Sequence, residues 1–165
     1  MKIEQYEYRE ALRDFLKTQQ FCFHLTFTFC RDIRLAAATD KLQYWSCRTM
    51  RRMWGREFYR RDPTSTLFYV AFPEYGSDSN NFHFHALARV EESRRDAFLE
   101  VGPKQWSRVV PSGTLFVQHI GDTEDDLAAV IGYDTKALSE SKEFIVSTQF
   151  APAGVVSGNK YSDNR

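Results

Sequence analysis

The stretch TLFYVAFPEYGSDSNNFHFHALARV, residues 66–90, contains two apolar runs separated by a polar loop. The first run, residues 66–72, is rich in aromatic and aliphatic residues, and the proline that follows it is expected to close the strand. The second run, residues 82–90, has the same character but also carries two histidines. The residues between the runs favour turns. Two strands joined in this way predict an antiparallel hairpin.

Helices and further strands are predicted around this hairpin. The segment FCFHLTFTF, residues 21–29, alternates in polarity and predicts a half-buried strand. Thr123, with Asp126 three residues later, predicts the start of a helix, and the pair Gly102-Pro103 predicts the end of another. The remaining predictions are helices at 4–19, 39–60, 91–101 and 123–138 and strands at 114–120 and 144–150. The expected fold class is α+β, a five-stranded antiparallel sheet with flanking helices.

Length and composition favour one folded domain. The chain has 165 residues of which 42% are hydrophobic, which is typical of a globular protein. No apolar run reaches the roughly 18 residues of a membrane span. We predict a single domain over residues 1–150 and a flexible C-terminal tail over 151–165. The N-terminus lacks the apolar core of a signal peptide and the three cysteines have no CxxC spacing, so a reducing, cytoplasmic location is expected.

The two histidines of the hairpin are candidate metal ligands. Because side chains alternate along a strand, His83 and His85 lie on the same face of the sheet. Glu74 follows the first strand of the hairpin and is expected to lie near them. Two imidazoles and a carboxylate can bind a divalent cation and leave open positions for other ligands. Two histidines that only form hydrogen bonds, with an exposed loop acid nearby, are the alternative interpretation.

A second candidate group lies in the segment VIGYDTKAL, residues 130–138. Tyr133 and Lys136 are three residues apart and are therefore neighbours on the predicted helix. A phenol can attack phosphorus while an ammonium group stabilises the charge of the phosphate. Because a tyrosine with a pKa of about 10 is a weak nucleophile, this chemistry also requires a Lewis acid on the phosphate. The alternative is an aromatic residue that simply covers a helix surface.

Basic residues are concentrated in one part of a chain whose net charge is zero. Between residues 46 and 61 there is a single acid, Glu57, and there are six arginines: Arg48, Arg51, Arg52, Arg56, Arg60 and Arg61. Four of them repeat every four residues and predict one basic helix face, with aromatic residues interleaved. Such a face suits contact with a DNA backbone and stacking on bases. A solvated helix face with its aromatic residues in the core is the other interpretation.

These motifs together resemble the HUH endonucleases, and among them the single-tyrosine initiators of rolling-circle replication (Rep proteins). The histidine motif of the family is matched by His83-Phe84-His85, and its Tyr-x-x-Lys motif by Tyr133 and Lys136 about fifty residues later. The segment HLTFTF, residues 24–29, loosely matches the first strand motif. Glu74 occupies the place of an acidic third ligand. The net charge of zero departs from the basic charge that is common among these nucleases.

The resemblance implies a metal-dependent enzyme that nicks and joins single-stranded DNA at an origin or a hairpin. By this resemblance, His83, His85 and Glu74 would bind Mg²⁺ or Mn²⁺. Tyr133 would attack the scissile phosphate and keep it as a 5′-phosphotyrosine. Lys136 would orient the phosphate or a water on the metal. Host helicase and polymerase are the implied partners, no membrane partner is expected, and the location would be the compartment of DNA replication if the protein is viral.

Other functions compatible with the same residues belong to different classes. A related single-tyrosine transposase or plasmid relaxase is one, although relaxases usually carry a third histidine in the metal cluster and none is adjacent in the sequence. A non-catalytic DNA-binding module is another, in which Tyr133 would be a surface aromatic. A non-haem iron oxygenase also uses two histidines and one acid, but it requires an enclosed pocket for an organic substrate.

Overall fold

The computed structural model describes residues 3–62, 65–76, 81–139 and 143–150. These residues form an open five-stranded antiparallel sheet with four α-helices, so the predicted α+β fold class and the order of its elements are confirmed. The elements are α1 Ile3–Lys17, β1 Phe23–Thr28, α2 Leu35–Trp54, β2 Leu67–Glu74, β3 His83–Val90, α3 Arg95–Val109, β4 Leu115–His119, α4 Glu124–Asp134 and β5 Ile145–Val146. The predicted tail, 151–165, lies outside the described residues. No helix in the described part of the chain is long and apolar enough to cross a membrane.

The strand that carries the histidines lies at the centre of the sheet. The strand order is β4-β1-β3-β2-β5, and every neighbouring pair is antiparallel. The predicted hairpin forms with a register that pairs Glu74 with His83. On the other side of β3, Thr26 of β1 pairs with His85. The histidines therefore have Thr26 of β1 on one side and the Glu74 carboxylate on the other.

The sheet separates two hydrophobic clusters because its side chains alternate between the faces. On one face, Phe23, Leu25 and Phe27 of β1 pack with buried residues of α2 and α3, among them Trp45 and Trp106. On the other face the buried residues come from α1, α4 and the sheet: Leu12, Leu16, Phe68, Val70, Phe72, Leu87 and Ile131. Three histidines also lie on this second face: His24, His83 and His85. Each is next in sequence to strand residues whose side chains belong to the first cluster, and successive side chains point to opposite faces.

The long helix predicted over residues 39–60 ends earlier than expected. α2 stops at Trp54, because Gly55 follows with φ of 85°, a backbone conformation that favours glycine. A short 3₁₀ turn, Phe58–Arg60, comes next. Arg56 and Arg60 therefore lie beyond the helix, and the prediction that they continue one basic helix face from Arg48 is wrong.

The third helix continues through the pair Gly102-Pro103 that was predicted to end it. Gly102 permits close packing, since a Cβ there would lie 3.3 Å from the Phe98 ring, and its carbonyl oxygen accepts a hydrogen bond from Trp45 Nε1 at 2.9 Å. Phe98 and Trp106 are fully buried. Continuing the helix places Trp106 in the core, which compensates for the roughly 3 kcal/mol that a proline costs inside a helix.

Three other predicted boundaries also differ from the structure. Pro73 does not close β2, which continues to Glu74. Within the described residues β5 covers that strand only at Val70 and Ala71, so Pro73 lies where β2 is paired with β3 alone. The fifth strand is reduced to two residues followed by a 3₁₀ turn. The predicted start of α4 is confirmed as a reciprocal capping box between Thr123 and Asp126, but the helix ends at Asp134 rather than at residue 138.

Candidate metal centre

Three predicted ligands converge at one end of the hairpin. The register brings Glu74 opposite His83, and His85 lies two residues further along the same face of β3. The two histidine Nε2 atoms are 3.2 Å apart. Glu74 Oε2 lies 3.3 Å from His85 Nε2 and 3.6 Å from His83 Nε2. The possible metal-binding cluster expected from the sequence is therefore present in the structure.

The spacing of these three atoms suits a small divalent ion. Nitrogen and oxygen ligands lie about 2.1 Å from such an ion, so adjacent ligands are about 3.0 Å apart in an octahedron and about 3.4 Å apart in a tetrahedron. The observed separations of 3.2, 3.3 and 3.6 Å are close to both values. The three atoms match one face of a coordination polyhedron, and an ion held there would have its opposite positions open to water or to a substrate oxygen.

Hydrogen bonds on the far side of each imidazole orient the two rings. His83 Nδ1 lies 2.9 Å from the carbonyl oxygen of Asn81, which can only accept, so Nδ1 carries the proton and Nε2 has the lone pair. His85 Nδ1 lies 3.1 Å from the hydroxyl of Thr26, which can accept in the same way. Both lone pairs then point toward the Glu74 carboxylate, an arrangement that a cation between them stabilises.

Burial favours the neutral form of one histidine in the cluster, His85. His85 is 8% exposed, and this burial lowers its pKa below the ordinary value for histidine, although the nearby Asp134 carboxylate acts in the opposite direction. A lowered pKa keeps His85 neutral near pH 7, which is the form that binds metal. The Glu74 side chain is 37% exposed and supplies the only formal negative charge of the three ligands.

Two residues that the sequence did not assign to the site lie next to it. His24 Nε2 of β1 lies 3.0 Å from Asp134 Oδ1, and the His24 ring stacks on that of His85 at 5.2 Å. The side chain of Asp134 is fully buried, and its Oδ2 has no hydrogen-bond partner among the described residues. The alternation of β1 places His24 on the face of Thr26, but only the strand order shows that this face adjoins His85.

The contact between Asp134 and His24 also holds the end of α4 beside the possible metal-binding cluster. Tyr133 precedes it in the chain, and the Tyr133 ring lies 5.3 Å from the ring of His85 and 6.4 Å from that of His24. Tyr133 is 56% exposed, so its phenol is accessible beside the three ligands. Lys136 is exposed and begins a 3₁₀ segment, Lys136–Ser139, so it does not share one continuous helix with Tyr133 as predicted.

Asp134→Asn should weaken Mn²⁺ binding because the neutral amide holds His24, and through it His85, less firmly. Loss of groups that hold metal ligands in place typically costs 10- to 100-fold in affinity, and we expect about tenfold because Asp134 acts through His24. Isothermal titration of Mn²⁺ measures the change, with circular dichroism to show that the fold is retained. Asp125→Asn, an exposed acid in the first turn of the same helix, is the control. Equal affinity in Asp134→Asn and wild type would contradict this role.

The predicted DNA-binding arginines lie away from this centre. Arg48, Arg51 and Arg52 belong to α2, which packs on the opposite face of the sheet. Arg56 and Arg60 follow the end of that helix. His119 is also on the opposite face, where its ring packs 4.7 Å from that of Phe23. The structure thus brings together His83, His85, Glu74 and Tyr133, and it separates all five arginines from them.

Comparison with known proteins gives no relative of this chain. No protein-family model matches it, and neither a curated protein nor a solved structure matches it at a significant level.

Proposed function

We propose that the chain is a metal-dependent, single-tyrosine endonuclease of the HUH type that nicks and rejoins single-stranded DNA to initiate rolling-circle replication. The observation that carries the proposal is the position of the Tyr133 ring, 5.3 Å from the His85 ring at the edge of the His83, His85 and Glu74 cluster. An accessible nucleophile beside a possible Lewis-acid site is the combination that phosphodiester transfer requires. DNA as the substrate follows from the resemblance.

The transfer would proceed by attack of the Tyr133 phenol oxygen on the scissile phosphorus. The P–O3′ bond breaks as the new P–O bond forms, and the phosphate stays on the tyrosine as the 5′ end of the strand. The phenol loses its proton to solvent water, and the departing 3′ oxygen takes up a proton to become a free 3′-OH. Because the phosphotyrosine preserves the energy of the phosphodiester bond, attack by a 3′-OH can reverse the step without ATP.

The protein side chains have distinct tasks in this reaction. His83, His85 and Glu74 would hold a Mg²⁺ or Mn²⁺ ion, which supplies Lewis-acid activation of the phosphate. Imidazole ligands favour Mn²⁺ over Mg²⁺. Asp134 and His24 keep the end of α4 against β1 and so position Tyr133. Lys136, exposed three residues after Tyr133, would stabilise phosphate charge.

A direct test is to incubate the protein with labelled single-stranded DNA and Mn²⁺ and to look for an adduct that survives denaturation. The expected products are a labelled protein and a strand with a free 3′-OH. The free 3′-OH would then be extended by the host helicase and polymerase, the expected partners. Absence of any adduct on origin, hairpin and random oligonucleotides alike would leave only the metal-binding part of the proposal.

A related single-tyrosine relaxase or transposase is the second candidate, and one observation favours it. Relaxases carry a third histidine in the metal cluster, and His24 lies against His85 although it is distant in the sequence. His24 Nε2 is directed to Asp134, which argues for a supporting role. The non-haem oxygenase alternative is less suitable, because Glu74 and Tyr133 lie at an open surface rather than in an enclosed pocket.

Glu74→Ala should lower Mn²⁺ affinity by more than about tenfold, because it removes the only charged ligand and the affinity of hard cations follows the charge of their ligands. Nicking at low Mn²⁺ should fall at least as far as in a single histidine variant. High Mn²⁺ should partly restore it, since two imidazoles and water can still hold the ion. Calorimetry and nicking assays over a range of Mn²⁺ measure both effects, with Glu91→Ala as the control acid. Wild-type affinity in Glu74→Ala would show that Glu74 is not a ligand.

A further inference from the structure

A basic groove of about 550 Å³ lies on the side of the sheet that α2 and α3 cover, away from the metal centre. It is bordered by α2, by the start of the 3₁₀ turn that follows this helix, and by one residue of α3. The residues that matter for its chemistry are Tyr44, Arg48, Arg51, Arg52, Phe58 and Gln105. The spacing of Tyr44, Arg48 and Arg51 is that of a single helix face, so the groove runs along α2.

The guanidinium of Arg48 is held in place within this groove. Its Nε donates a hydrogen bond to Gln105 Oε1 at 3.0 Å, and Gln105 itself is 4% exposed. Its Nη1 donates to the hydroxyl of Tyr44 at 3.2 Å, and its Cζ lies 5.5 Å from the centre of the Tyr44 ring. Within the described residues, Nη2 has no hydrogen-bond partner. A fixed guanidinium with one free edge is suited to a phosphate oxygen.

The neighbouring arginines add charge that no acid in the described residues neutralises. Arg51 and Arg52 are exposed and form no ion pair within the described residues, and no acidic side chain lines the groove. Tyr44 is 54% exposed and offers an aromatic face beside the three guanidiniums. A row of cations next to an exposed aromatic ring suits a polymer with regularly spaced phosphates and flat bases.

The groove is separated from the metal centre by the sheet itself. α2 packs on the face formed by Phe23, Leu25 and Phe27, whereas His83 and His85 lie on the face of α1 and α4. A nucleotide at the metal centre therefore cannot touch the groove, and only a strand that continues around an edge of the sheet, or a second strand, can reach it.

We propose that this groove is a second site for single-stranded nucleic acid, in which the phosphates contact Arg48, Arg51 and Arg52 and a base stacks on Tyr44. The identity of the polymer as DNA rests on the proposed nuclease function, whereas the recognition of phosphates and bases rests on the groove. The site binds without a divalent ion and independently of the catalytic tyrosine. It would hold a part of the DNA that is not being cut.

The test measures binding of a fluorescent oligo-dT strand by anisotropy in EDTA, over 50 to 200 mM salt. Each phosphate contact in single-stranded DNA contributes about 0.7 to the slope of log affinity against log salt, so Arg51→Ala, Arg52→Ala should lower the slope by about 1.4. Between 50 and 200 mM salt, the fold-decrease in affinity of this variant should then be about sevenfold smaller than the fold-decrease in wild type. The double variant Lys17→Ala, Arg31→Ala, which removes two exposed cations outside the groove, is the control. An unchanged slope and affinity in the groove variant overturn the proposal.

Two further arms separate this proposal from the nuclease proposal. Tyr44→Ala should reduce binding of oligo-dT more than that of an abasic strand of the same length, because the lost hydrogen bond to Arg48 affects both strands whereas the lost stacking affects only the strand with bases. Equal losses on both strands would overturn the stacking contact. Arg51→Gln, Arg52→Gln replaces the alanine variant if that variant does not fold.

If wild-type protein binds oligo-dT through the groove but forms no covalent adduct with DNA, the nuclease proposal fails and the groove proposal stands. If adducts form and the groove variants bind as wild type, the reverse holds.

Discussion

Tyr133→Phe is expected to abolish nicking and covalent attachment to DNA while the fold and the Mn²⁺ affinity stay at wild-type levels. The substitution removes only the phenol oxygen, and the ring can keep its edge-on contacts with His24 and His85. Loss of a catalytic nucleophile costs on the order of 10⁶ in rate in a well-studied hydrolase, so residual activity should lie below detection. The measurement is the yield of labelled protein that survives denaturing electrophoresis after incubation with single-stranded DNA and Mn²⁺.

Other tyrosines provide the controls for this result. Tyr75 is exposed and lies at the turn of the hairpin, close to Phe82, so Tyr75→Phe should leave the adduct unchanged. Tyr69 is fully buried, and burial raises the pKa of its phenol far above the ordinary value, so it is not a competing nucleophile. A full yield of adduct in Tyr133→Phe together with its loss in Tyr75→Phe would assign the nucleophile to the hairpin and contradict the proposed site.

The double variant His83→Ala, His85→Ala should lose Mn²⁺ binding and DNA nicking together. It removes both nitrogen ligands from the cluster, and a single carboxylate that is 37% exposed does not hold a divalent ion tightly. Because the two histidines act on one ion, each single variant should already lose most of the activity, and the free-energy effects of the two changes should not add. Calorimetric titration of Mn²⁺ and the nicking assay together measure these losses.

A histidine outside the cluster shows whether the effect is specific. His119→Ala removes an exposed imidazole on the opposite face of the sheet and should change neither Mn²⁺ binding nor nicking. If the double variant still nicks DNA, the metal centre has no part in the reaction and the proposed function is wrong. Circular dichroism of each variant distinguishes the loss of ligands from the loss of the fold.

The pH dependence of metal binding follows from the same imidazoles. A proton and a metal ion compete for the Nε2 lone pair, so affinity falls as the pH drops through the pKa of the ligand. Because burial lowers the pKa of His85, its proton competes only at a more acidic pH than it would in an exposed histidine. Mn²⁺ binding should therefore be retained at pH 7 and decline at more acidic pH, and excess Mn²⁺ should move the midpoint lower.

Local pattern was sufficient to predict most of the secondary structure. The alternation of residues 21–29 and the two apolar runs of 66–90 predicted β1 and the hairpin, since strand periodicity and turn chemistry act over a few residues. The predicted ends of helices and strands were wrong where contacts with residues far away in the chain opposed a local sequence signal. Gly102-Pro103 stays helical because the Gly102 carbonyl accepts a hydrogen bond from Trp45, which is 57 residues away in the chain, and because Trp106 one turn later is buried in the core.

The possible metal-binding cluster was predictable because all three of its residues belong to one hairpin. Alternation placed His83 and His85 on the same face, and the short loop left Glu74 opposite them, so no long-range contact was needed. The neighbours of the cluster were not predictable in this way. His24 and Asp134 are 110 residues apart, and they meet only because β1 lies beside β3 and α4 packs across that face of the sheet.

The sequence by itself determined the α+β class, the order of the elements and the candidate ligands within the hairpin, because each depends on residues that are close together in the chain. Only the tertiary structure decided which side chains support those ligands and which face the arginines occupy. Strand order and helix placement depend on burying two hydrophobic clusters at once, and side chains from the whole chain contribute to both. For this reason Tyr133 lies beside His85, whereas Arg48, Arg51 and Arg52, which the sequence grouped with the same function, lie on the opposite side of the sheet.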